Sequence, residues 1–545
     1  MKRILTMLLI LALCISLSSC QKKKELKDDI HIFFTSDIHC GVNEGITLAG
    51  VKALVEDAKA EHEYVTLVDC GDNIQGGPLG SLSKGELIIP LMNETGYDIA
   101  TFGNHEFDYG MEQLDKLISM MEYQPILCNY KYSGTKKNVF DGIDPYVIKE
   151  YGDYKVAFIG LLTPATITTS TPTFFMEDGQ LVYDFYSGGK GEALAARVQE
   201  VVDEVRGKGA DYVVVISHLG VNEPSYDTVS FIHMIKGVDV FLDGHAHANI
   251  VEDKYPDADN KDVIVSSPGT KLETVGELII GKDGSIQTLH IDAYDRKDET
   301  LQTKVDKALG DLDVILSEKI SEIDHDLKVV DENGHRLTRN RETTAADFVV
   351  DAIREEMGTQ IAILNGGSVR TALEAGDITK GDLLAILPFE NLLSSVKMSG
   401  QTILDALEYG SRMTEAITVF DDKPVGETGS FLQVSGLKYT IDTSVPSSIK
   451  VDSDQMFASI EGERRVKDVY VLEEGEYVPI DPEKIYTVSS NDYILMNKGD
   501  GYTMFEDCEV MVKNGPVDVS SLINYAKNHN LNDMYLDVEG RITVK

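Results

Sequence analysis

The sequence contains no tryptophan, little positive charge, few cysteines and no apolar run long enough to span a bilayer as a helix. Its 545 residues include 50 Lys and Arg against 91 Asp and Glu, so the formal net charge is −41. A protein that binds nucleic-acid polymers needs a basic surface, and this charge balance argues against that class of partner. A small anionic substrate stays possible, because a few metal ions or Arg side chains reverse the electric field locally.

Cysteine is too scarce for a disulfide scaffold, with 6 residues in the whole chain. We interpret Cys40, Cys70, Cys128 and Cys508 as buried free thiols. The 42% of hydrophobic residues can fill packed cores, and a chain of this length is expected to form about two to four domains.

The N-terminus has the pattern of a bacterial lipoprotein signal. An apolar run from Ile4 to Leu13 follows two basic residues, is too short to span a bilayer and leads to Leu17-Ser18-Ser19-Cys20. This box resembles the lipoprotein processing site. We therefore expect a signal peptide over residues 1–19, a lipid on Cys20 and a tether over residues 20–29; an ordinary cleavage site with an incidental cysteine is the alternative. The lipid would hold the protein on the extracytoplasmic side of a bacterial membrane, at the periplasmic face or the cell surface.

Two α/β units follow the tether. Over residues 30–297, Val- and Ile-rich runs that suit strands covered on both faces alternate with helix-like stretches, which is typical of an α/β domain. Residues 298–328 are charged and carry apolar residues at helical spacing, so we expect a linking helix there. A second α/β domain is predicted over residues 329–545, with a helix at Thr343–Met357 and a strand at Gln360–Leu364.

Residues that can bind metals follow five of the predicted strands in the first domain. These segments are Asp37-Ile38-His39, Gly71-Asp72-Asn73, Gly103-Asn104-His105-Glu106-Phe107-Asp108, Ser217-His218 and Gly244-His245-Ala246-His247. Sites in α/β sheets are built from the loops at the carboxyl ends of strands. Imidazole and carboxylate groups suit Zn, Mn, Fe or Co, and a shared carboxylate can bridge two ions. The pattern predicts a two-metal hydrolytic centre that activates a water and stabilises the leaving oxygen.

Two of these segments have a spacing that we interpret geometrically. Asp37 and His39, like His245 and His247, are two positions apart, and in an extended segment such residues point to the same side. Each of these short motifs is a weak signal alone, whereas the longer segment from Gly103 to Asp108 is much more specific.

Together these motifs resemble the calcineurin-like metallophosphoesterases, and within them the 5′-nucleotidase, UDP-sugar hydrolase and 2′,3′-cyclic-nucleotide phosphodiesterase family. The resemblance implies an N-terminal four-layer α/β/β/α sandwich and a C-terminal α/β substrate-binding domain. It implies a first metal ion bound by Asp37, His39 and His247, a second bound by Asn104, His218 and His245, and Asp72 as the bridge between them. It also implies that His105 contacts the scissile phosphate and is oriented by Asp108.

The second half carries a candidate nucleoside site. The segment from Asn365 to Arg370 contains glycines that allow close backbone approach and an Arg that can pair with phosphate, although a plain turn with a surface Arg is the alternative. Phe431 and Tyr493 could sandwich a flat base, although core packing is the default role for each.

The resemblance extends over this half and implies substrate contacts for several residues. These are Arg339 or Arg341, between which the sequence leaves the choice open, together with Asn365, Arg370, Phe431, Tyr493 and Asp500, whose carboxylate would accept hydrogen bonds from ribose hydroxyls. Ser368 and Lys498 stand where the family usually has glycine, which leaves the base preference open.

The sequence therefore predicts an extracytoplasmic, lipid-anchored phosphohydrolase that releases phosphate from nucleotides with two divalent metal ions such as Zn or Mn. Hydrolysis of UDP-sugars or of 2′,3′-cyclic nucleotides is the alternative, since all three reactions use the same kind of centre. A surface-binding lipoprotein with the same fold is the alternative outside enzymes. The expected partners are a nucleotide or nucleotide derivative and the membrane, through Cys20, and not a nucleic-acid polymer.

Overall fold

The computed structural model describes residues 24, 26–177, 180–223, 226–389, 391–420, 423–452, 454–513 and 515–545. The predicted signal peptide and Cys20 lie outside the described residues, so both stay predictions. Within the described ranges, none of the helices combines the length and the apolar character needed to cross a membrane.

Two six-stranded sheets form the centre of the first half. In spatial order the first sheet consists of Ile286–Ile291, Val275–Ile280, Ile30–Thr35, Tyr64–Asp69, Ile99–Ala100 and Gln124–Pro125. The second consists of Asn249–Pro256, Asp262–Pro268, Val240–Asp243, Tyr212–His218, Tyr154–Leu162 and Tyr146–Tyr151. The central strands are parallel, with Ile30 opposite Tyr64 and Val214 opposite Val240, and antiparallel strands flank them. Parallel pairing brings the carboxyl ends of the central strands to one edge of each sheet.

An apolar layer joins the two sheets, and helices cover their outer faces. Phe34, Val68, Phe158 and Ile216 are buried between the sheets. The helices of this half are Leu48–Glu61, Pro78–Ser83, Ile88–Thr95, Met111–Met120, Thr166–Thr169, Glu192–Gly207 and Thr228–Ile232. Both faces of each sheet are covered, which explains the nearly continuous apolar runs in the sequence. The arrangement confirms the predicted four-layer α/β/β/α sandwich.

The linking helix is shorter than the prediction over residues 298–328. It spans Glu299–Leu316, and a strand at Lys319–Ile323 follows it. Leu301 packs in a core of the first half and Leu316 against a core of the second, so the helix contacts both. The prediction was wrong beyond Leu316 because the strand is stabilised by pairing with a distant segment, which helical spacing does not reveal.

The second half contains a five-stranded and a four-stranded sheet. Their strands, in spatial order, are Leu432–Ser435, Ile361–Asn365, Ile485–Asn491, Leu393–Ser399 and Glu509–Val512, and then Glu476–Pro479, Val466–Glu473, Leu437–Ile441 and Ile542–Val544. The helices are Thr344–Met357, Lys380–Ile386, Gly400–Gly410, Asp492–Leu495 and Asp518–Asn528. The predicted helix and strand that open this half are confirmed to within one residue at each end.

The four cysteines among the described residues are free thiols. Cys40, Cys70 and Cys128 are buried, as predicted, whereas Cys508 is only partly buried. The prediction of burial is therefore wrong for Cys508, which sits at the margin of a core.

Candidate active site

Predicted metal ligands from separate strand ends converge into two groups at one edge of the first half. Within each group the ligand atoms lie within 4.8 Å of one another, and the groups are Asp37, His39 and His247, and Asp72, His218 and His245. Asp72 Oδ2 lies 3.0 Å from His218 Nε2 and 3.8 Å from His39 Nε2. Asp72 therefore stands between the two groups, where a bridging carboxylate would be needed.

Asn104 lies beside Asp72 and has the character of a further ligand. The backbone N–H of the next residue, His105, donates to Asp72 Oδ1 at 2.8 Å. Asn104 is buried, and its Oδ1 has no hydrogen-bond partner among the described residues. Leaving a buried amide oxygen unpaired costs free energy, and a cation can satisfy its lone pairs. Imidazole nitrogens, carboxylate oxygens and one amide oxygen thus form a donor set that fits divalent metal ions.

Five of the seven predicted ligands have a left-handed backbone. The φ angles are 52° at Asp37, 45° at His39, 61° at Asp72, 72° at His245 and 54° at His247. Non-glycine residues rarely adopt this conformation, and such strain concentrates at functional sites. The prediction that the paired motifs are extended is therefore wrong. Backbone turns place these side chains, and His245 and His247 belong to different groups.

Backbone carbonyl groups orient two of the imidazoles. His39 Nδ1 lies 2.7 Å from the carbonyl oxygen of Gln75, and His218 Nδ1 lies 2.7 Å from that of Cys70. A ring that donates from Nδ1 presents Nε2 to a metal ion, which is a common arrangement of metal-binding histidines. Burial lowers the pKa of His39 to about 3, so this ring is neutral, as ligation requires.

Asp72 and His218 attract each other strongly inside the protein. Burial lowers the pKa of His218, but the Asp72 carboxylate outweighs burial and raises it to about 10. Burial raises the pKa of Asp72, but the positive charges of His218 and His105 outweigh burial and hold it well below its usual range. The ionised carboxylate therefore needs a positive charge beside it, which a proton on His218 or a divalent ion supplies.

Glu106 holds the loop that carries Asp72, a role that our sequence analysis missed. Its carboxylate accepts hydrogen bonds from the backbone N–H groups of Asp72, Asn73 and Gly103 at 2.8, 2.7 and 2.6 Å. A Cβ atom on Gly103 would lie 2.1 Å from Asp72 Oδ1, so only glycine fits there. The sequence signal that could have revealed this role is the spacing between Gly103 and Glu106 in the Gly103 to Asp108 segment.

His105 and Asp108 form a hydrogen-bonded pair next to the two groups. His105 Nδ1 lies 2.5 Å from Asp108 Oδ2, and the His105 ring centroid lies 5.3 Å from that of His39. Burial lowers the pKa of His105, but the charge of Asp108 outweighs burial and raises it above its usual value. The pairing uses Nδ1 and leaves Nε2 as the ring nitrogen of His105 that can donate to a bound ligand.

The second half brings positive charge to the same place. The guanidinium of Arg370 lies 5.7 Å from the ring centroid of Phe389. The ring centroids of Phe389 and His105 lie 6.1 Å apart. Burial and the neighbouring charges of Arg336 and Arg370 lower the pKa of Arg339 to about 9. Cations crowded together in this way attract an anionic ligand.

Arg339 and Arg341, between which the sequence left the choice open, have different surroundings. Arg341 donates hydrogen bonds to the backbone carbonyl groups of Asn340, Glu415 and Ala416 at 2.7, 2.8 and 3.1 Å. This network gives Arg341 a structural role. Arg339, in contrast, lies close enough to Arg336, Arg370 and Asp500 for their charges to shift its pKa.

Three residues of the predicted nucleoside site lie together. Asn365 Nδ2 donates to Asp500 Oδ2 at 2.8 Å, and Tyr493 Oη lies 3.2 Å from Asp500 Oδ1. Ser368 donates to Asn365 Oδ1 at 2.6 Å, so the residue that replaces a glycine orients Asn365. The Tyr493 hydroxyl also lies 2.9 Å from the backbone carbonyl oxygen of Thr168 in the first half.

Phe431 is buried in this structure, so its role in a base clamp stays a prediction. Its side chain is 0% exposed and belongs to a core of the second half. Phe389 is a partly exposed aromatic residue beside His105. It follows Pro388, whose carbonyl group accepts a hydrogen bond from the Ser81 hydroxyl of the first half. We found no sequence signal that selected Phe389 over Phe431.

Comparison with known proteins finds similarity in both halves. The family described as calcineurin-like phosphoesterase matches residues 30–249, and the family described as 5′-nucleotidase, C-terminal domain, matches residues 320–507. The chain is 25% identical to the 5′-nucleotidase of Bos taurus over 566 residues, which cover 94% of this chain and 90% of that one.

Two further proteins extend this similarity. The chain is 26% identical to the trifunctional nucleotide phosphoesterase protein YfkN of Bacillus subtilis over 94% of its own length, but it spans only 35% of that relative. The solved structure of a 5′-nucleotidase precursor from Thermus thermophilus is similar with a TM-score of 0.78 and 26% identity, covering 95% of this chain and 99% of that one.

Proposed function

Because the chain belongs to the calcineurin-like phosphoesterases that carry a 5′-nucleotidase C-terminal domain, we propose that it hydrolyses nucleotides to a nucleoside and phosphate. One observation carries the proposal. Two groups of metal ligands, the His105–Asp108 pair and Arg370 with Phe389 meet in one cleft to which both halves contribute.

The proposed metal centre uses seven side chains of the first half. Asp37, His39 and His247 would hold one divalent ion, Asn104, His218 and His245 the other, and Asp72 both. When bound, the two ions supply Lewis acidity and activate a water for attack on phosphorus. The donor set accepts Zn, Mn, Fe or Co, so metal analysis of the purified protein decides the identity of the ions.

His105 and Arg370 would act on the phosphoryl group. The hydrogen bond from Nδ1 to Asp108 leaves Nε2 of a protonated His105 to donate to a phosphoryl oxygen, where charge grows in the transition state. Arg370 can pair with a second oxygen. The water would lose a proton as its oxygen forms a bond to phosphorus and the bond to the leaving oxygen breaks. The leaving oxygen would take up a proton from solvent and depart as the nucleoside hydroxyl, so the proton balance closes.

The nucleoside would be held by the second half. The Asp500 carboxylate, positioned by Asn365 at 2.8 Å, is a suitable acceptor for ribose hydroxyl groups. Phe389 and Tyr493 provide aromatic surfaces for a base. Arg339 adds positive charge for the nucleotide anion.

A substrate panel tests the proposal. The protein is supplied with Mn or Zn, and phosphate release is measured from AMP, UMP, ATP, UDP-glucose and 2′,3′-cyclic AMP. Release from the nucleoside monophosphates supports the proposal, whereas turnover of UDP-glucose or the cyclic nucleotide alone assigns a different bond. Metal-loaded protein that turns over no member of the panel would overturn the proposal and favour a binding role.

We also propose that the protein is anchored outside the cytoplasm by a lipid on Cys20, which rests on the sequence pattern of the N-terminus. Expression in a bacterium with radiolabelled palmitate tests this proposal. The label should enter the wild-type protein and be lost in Cys20→Ser; equal labelling of both would contradict it.

A further inference from the structure

Ser170 lies behind the His105–Asp108 pair, and no role described above uses it. Asp108 contacts His105 Nδ1 through Oδ2 at 2.5 Å, and its Oδ1 accepts a hydrogen bond from Ser170 Oγ at 3.1 Å. Ser170 is 1% exposed, so water does not compete for this hydrogen bond. A carboxylate held at one oxygen can rotate about its last side-chain bond, whereas contacts at both oxygens fix its plane.

Backbone hydrogen bonding fixes the position of Ser170. The residue directly follows the helical turn Thr166–Thr169, and its backbone N–H donates to the carbonyl oxygen of Thr166 at 3.0 Å. Both halves of the protein hold the turn, because the carbonyl oxygen of Thr168 lies 2.9 Å from the Tyr493 hydroxyl. The serine therefore reaches Asp108 from a buried turn that lies in a different segment from His105.

We propose that Ser170 is a positioning residue that holds the Asp108 carboxylate, and through it the His105 ring, in the orientation that phosphoryl transfer requires. The inference rests on the proposed function, since it takes His105 as the group that contacts the phosphoryl oxygens. A hydroxyl that donates to a carboxylate forms a strong, charge-assisted hydrogen bond. Small displacements of a catalytic group cost large factors in rate, so losing this bond lowers turnover more than substrate binding.

Kinetics of matched variants test the role of Ser170. Bis(p-nitrophenyl) phosphate is used with Mn, because it needs the metal centre and His105 but not a nucleoside site. Ser170→Ala should lower kcat about tenfold with KM changed by less than about twofold. Ser170→Thr, which keeps the hydroxyl, should retain activity within about threefold of wild type.

Thr169→Ala is the matched control for removal of a hydroxyl from the same turn. The Thr169 hydroxyl donates to the carbonyl oxygen of Ala165 within its own turn, so this variant should match wild type. Equal losses of kcat in Ser170→Ala and Thr169→Ala would overturn the proposal, because they would mean that the turn only supports the fold.

A double-mutant cycle decides whether Ser170 acts through Asp108. In an Asp108→Ala background, Ser170→Ala should change kcat by less than about twofold, since the group that it positions is gone. A second tenfold loss in that background would overturn the proposal, as would a Ser170→Ala protein with lost metal or a greatly lowered Tm. Wild-type protein that hydrolyses the aryl ester but no nucleotide would overturn the proposed function and leave this test intact.

Discussion

The ring centroids of Phe389 and His105 lie 6.1 Å apart, although the two residues belong to different halves of the chain. Arg370 approaches the same aromatic ring, with its guanidinium 5.7 Å from the ring centroid. The second half therefore contributes an aromatic surface and a cation beside the metal-ligand groups of the first half. The site that we propose therefore draws residues from both halves.

Replacing Phe389 should lower activity, whereas replacing Phe431 should lower stability. Phe389→Ala should leave the fold intact and lower kcat/KM for a nucleotide about tenfold, because a base loses a stacking surface. Phe431→Ala should lower the free energy of unfolding by about 3–5 kcal/mol, because it leaves a cavity in a core. Urea unfolding and steady-state kinetics measure both effects. A Phe431→Ala protein of wild-type stability with a raised KM for the nucleotide would support the predicted role of Phe431 in a base clamp.

Asp72→Asn should remove metal and activity together. An amide lacks the charge that attracts and bridges two cations, so we expect turnover to fall at least about a hundredfold and bound metal to fall in parallel. Elemental analysis and phosphate release measure the two quantities. Asp115→Asn is the control, since this carboxylate lies at the surface in an ion pair with Lys137. Full metal content in an inactive Asp72→Asn protein would argue against a bridging role.

His105→Asn should separate chemistry from metal binding. The variant loses the donor to the phosphoryl group, so kcat should fall about a hundredfold or more while metal content stays unchanged. The exposed His233, whose ring contacts the carbonyl group of Pro256, provides the control variant His233→Asn. Loss of metal in His105→Asn would instead place this residue among the ligands.

Arg339→Gln should change KM for a nucleotide, whereas Arg341→Gln should change the stability of the fold. Arg339→Gln should raise KM for a nucleotide about tenfold and leave the thermal midpoint nearly unchanged, because it removes positive charge from the cleft. Arg341→Gln removes donors to three backbone carbonyl groups, so it should cost about 1–2 kcal/mol of stability with little change in KM. The reverse pattern in calorimetry and kinetics would assign the substrate contact to Arg341.

Removing the metal should destabilise the first half. Ions that bind only the folded state add about 2.7 kcal/mol at a concentration of 100 times the Kd. Thermal unfolding with EDTA should therefore occur at a lower temperature than with added Mn or Zn. Asp72→Asn should show a much smaller difference. An EDTA-insensitive midpoint in metal-loaded wild-type protein would contradict the proposed centre.

The predicted ligands could be found from the sequence because local pattern and topology agree at this edge of the fold. Each candidate group follows a short apolar run, and the carboxyl ends of parallel strands meet at one edge. The division of the candidate ligands between two groups came from the family resemblance, which placed His247 in one group and His245 in the other, as the structure does. The spacing of His245 and His247 alone suggested an extended segment, whereas both residues have a left-handed backbone.

Residues in the second half were harder to predict because their roles depend on burial. Phe389 and Phe431 are both aromatic residues near the ends of apolar segments, and only the packing of distant strands and helices buries one and leaves the other at the cleft. The same reason applies to Arg339 and Arg341. Arg341 donates to the backbone carbonyl groups of Glu415 and Ala416, which are far from it along the chain.

The amino-acid sequence by itself determined the alternation of strands and helices, the excess of negative charge and the chemical identity of the candidate metal ligands, since periodicity and side-chain chemistry are local properties. The tertiary structure alone decided where the linking helix ends, how the backbone turns at the candidate ligands, which aromatic residue faces His105 and which serine holds Asp108. Those outcomes depend on contacts between segments that are far apart along the chain, and local pattern carries no information about such distances.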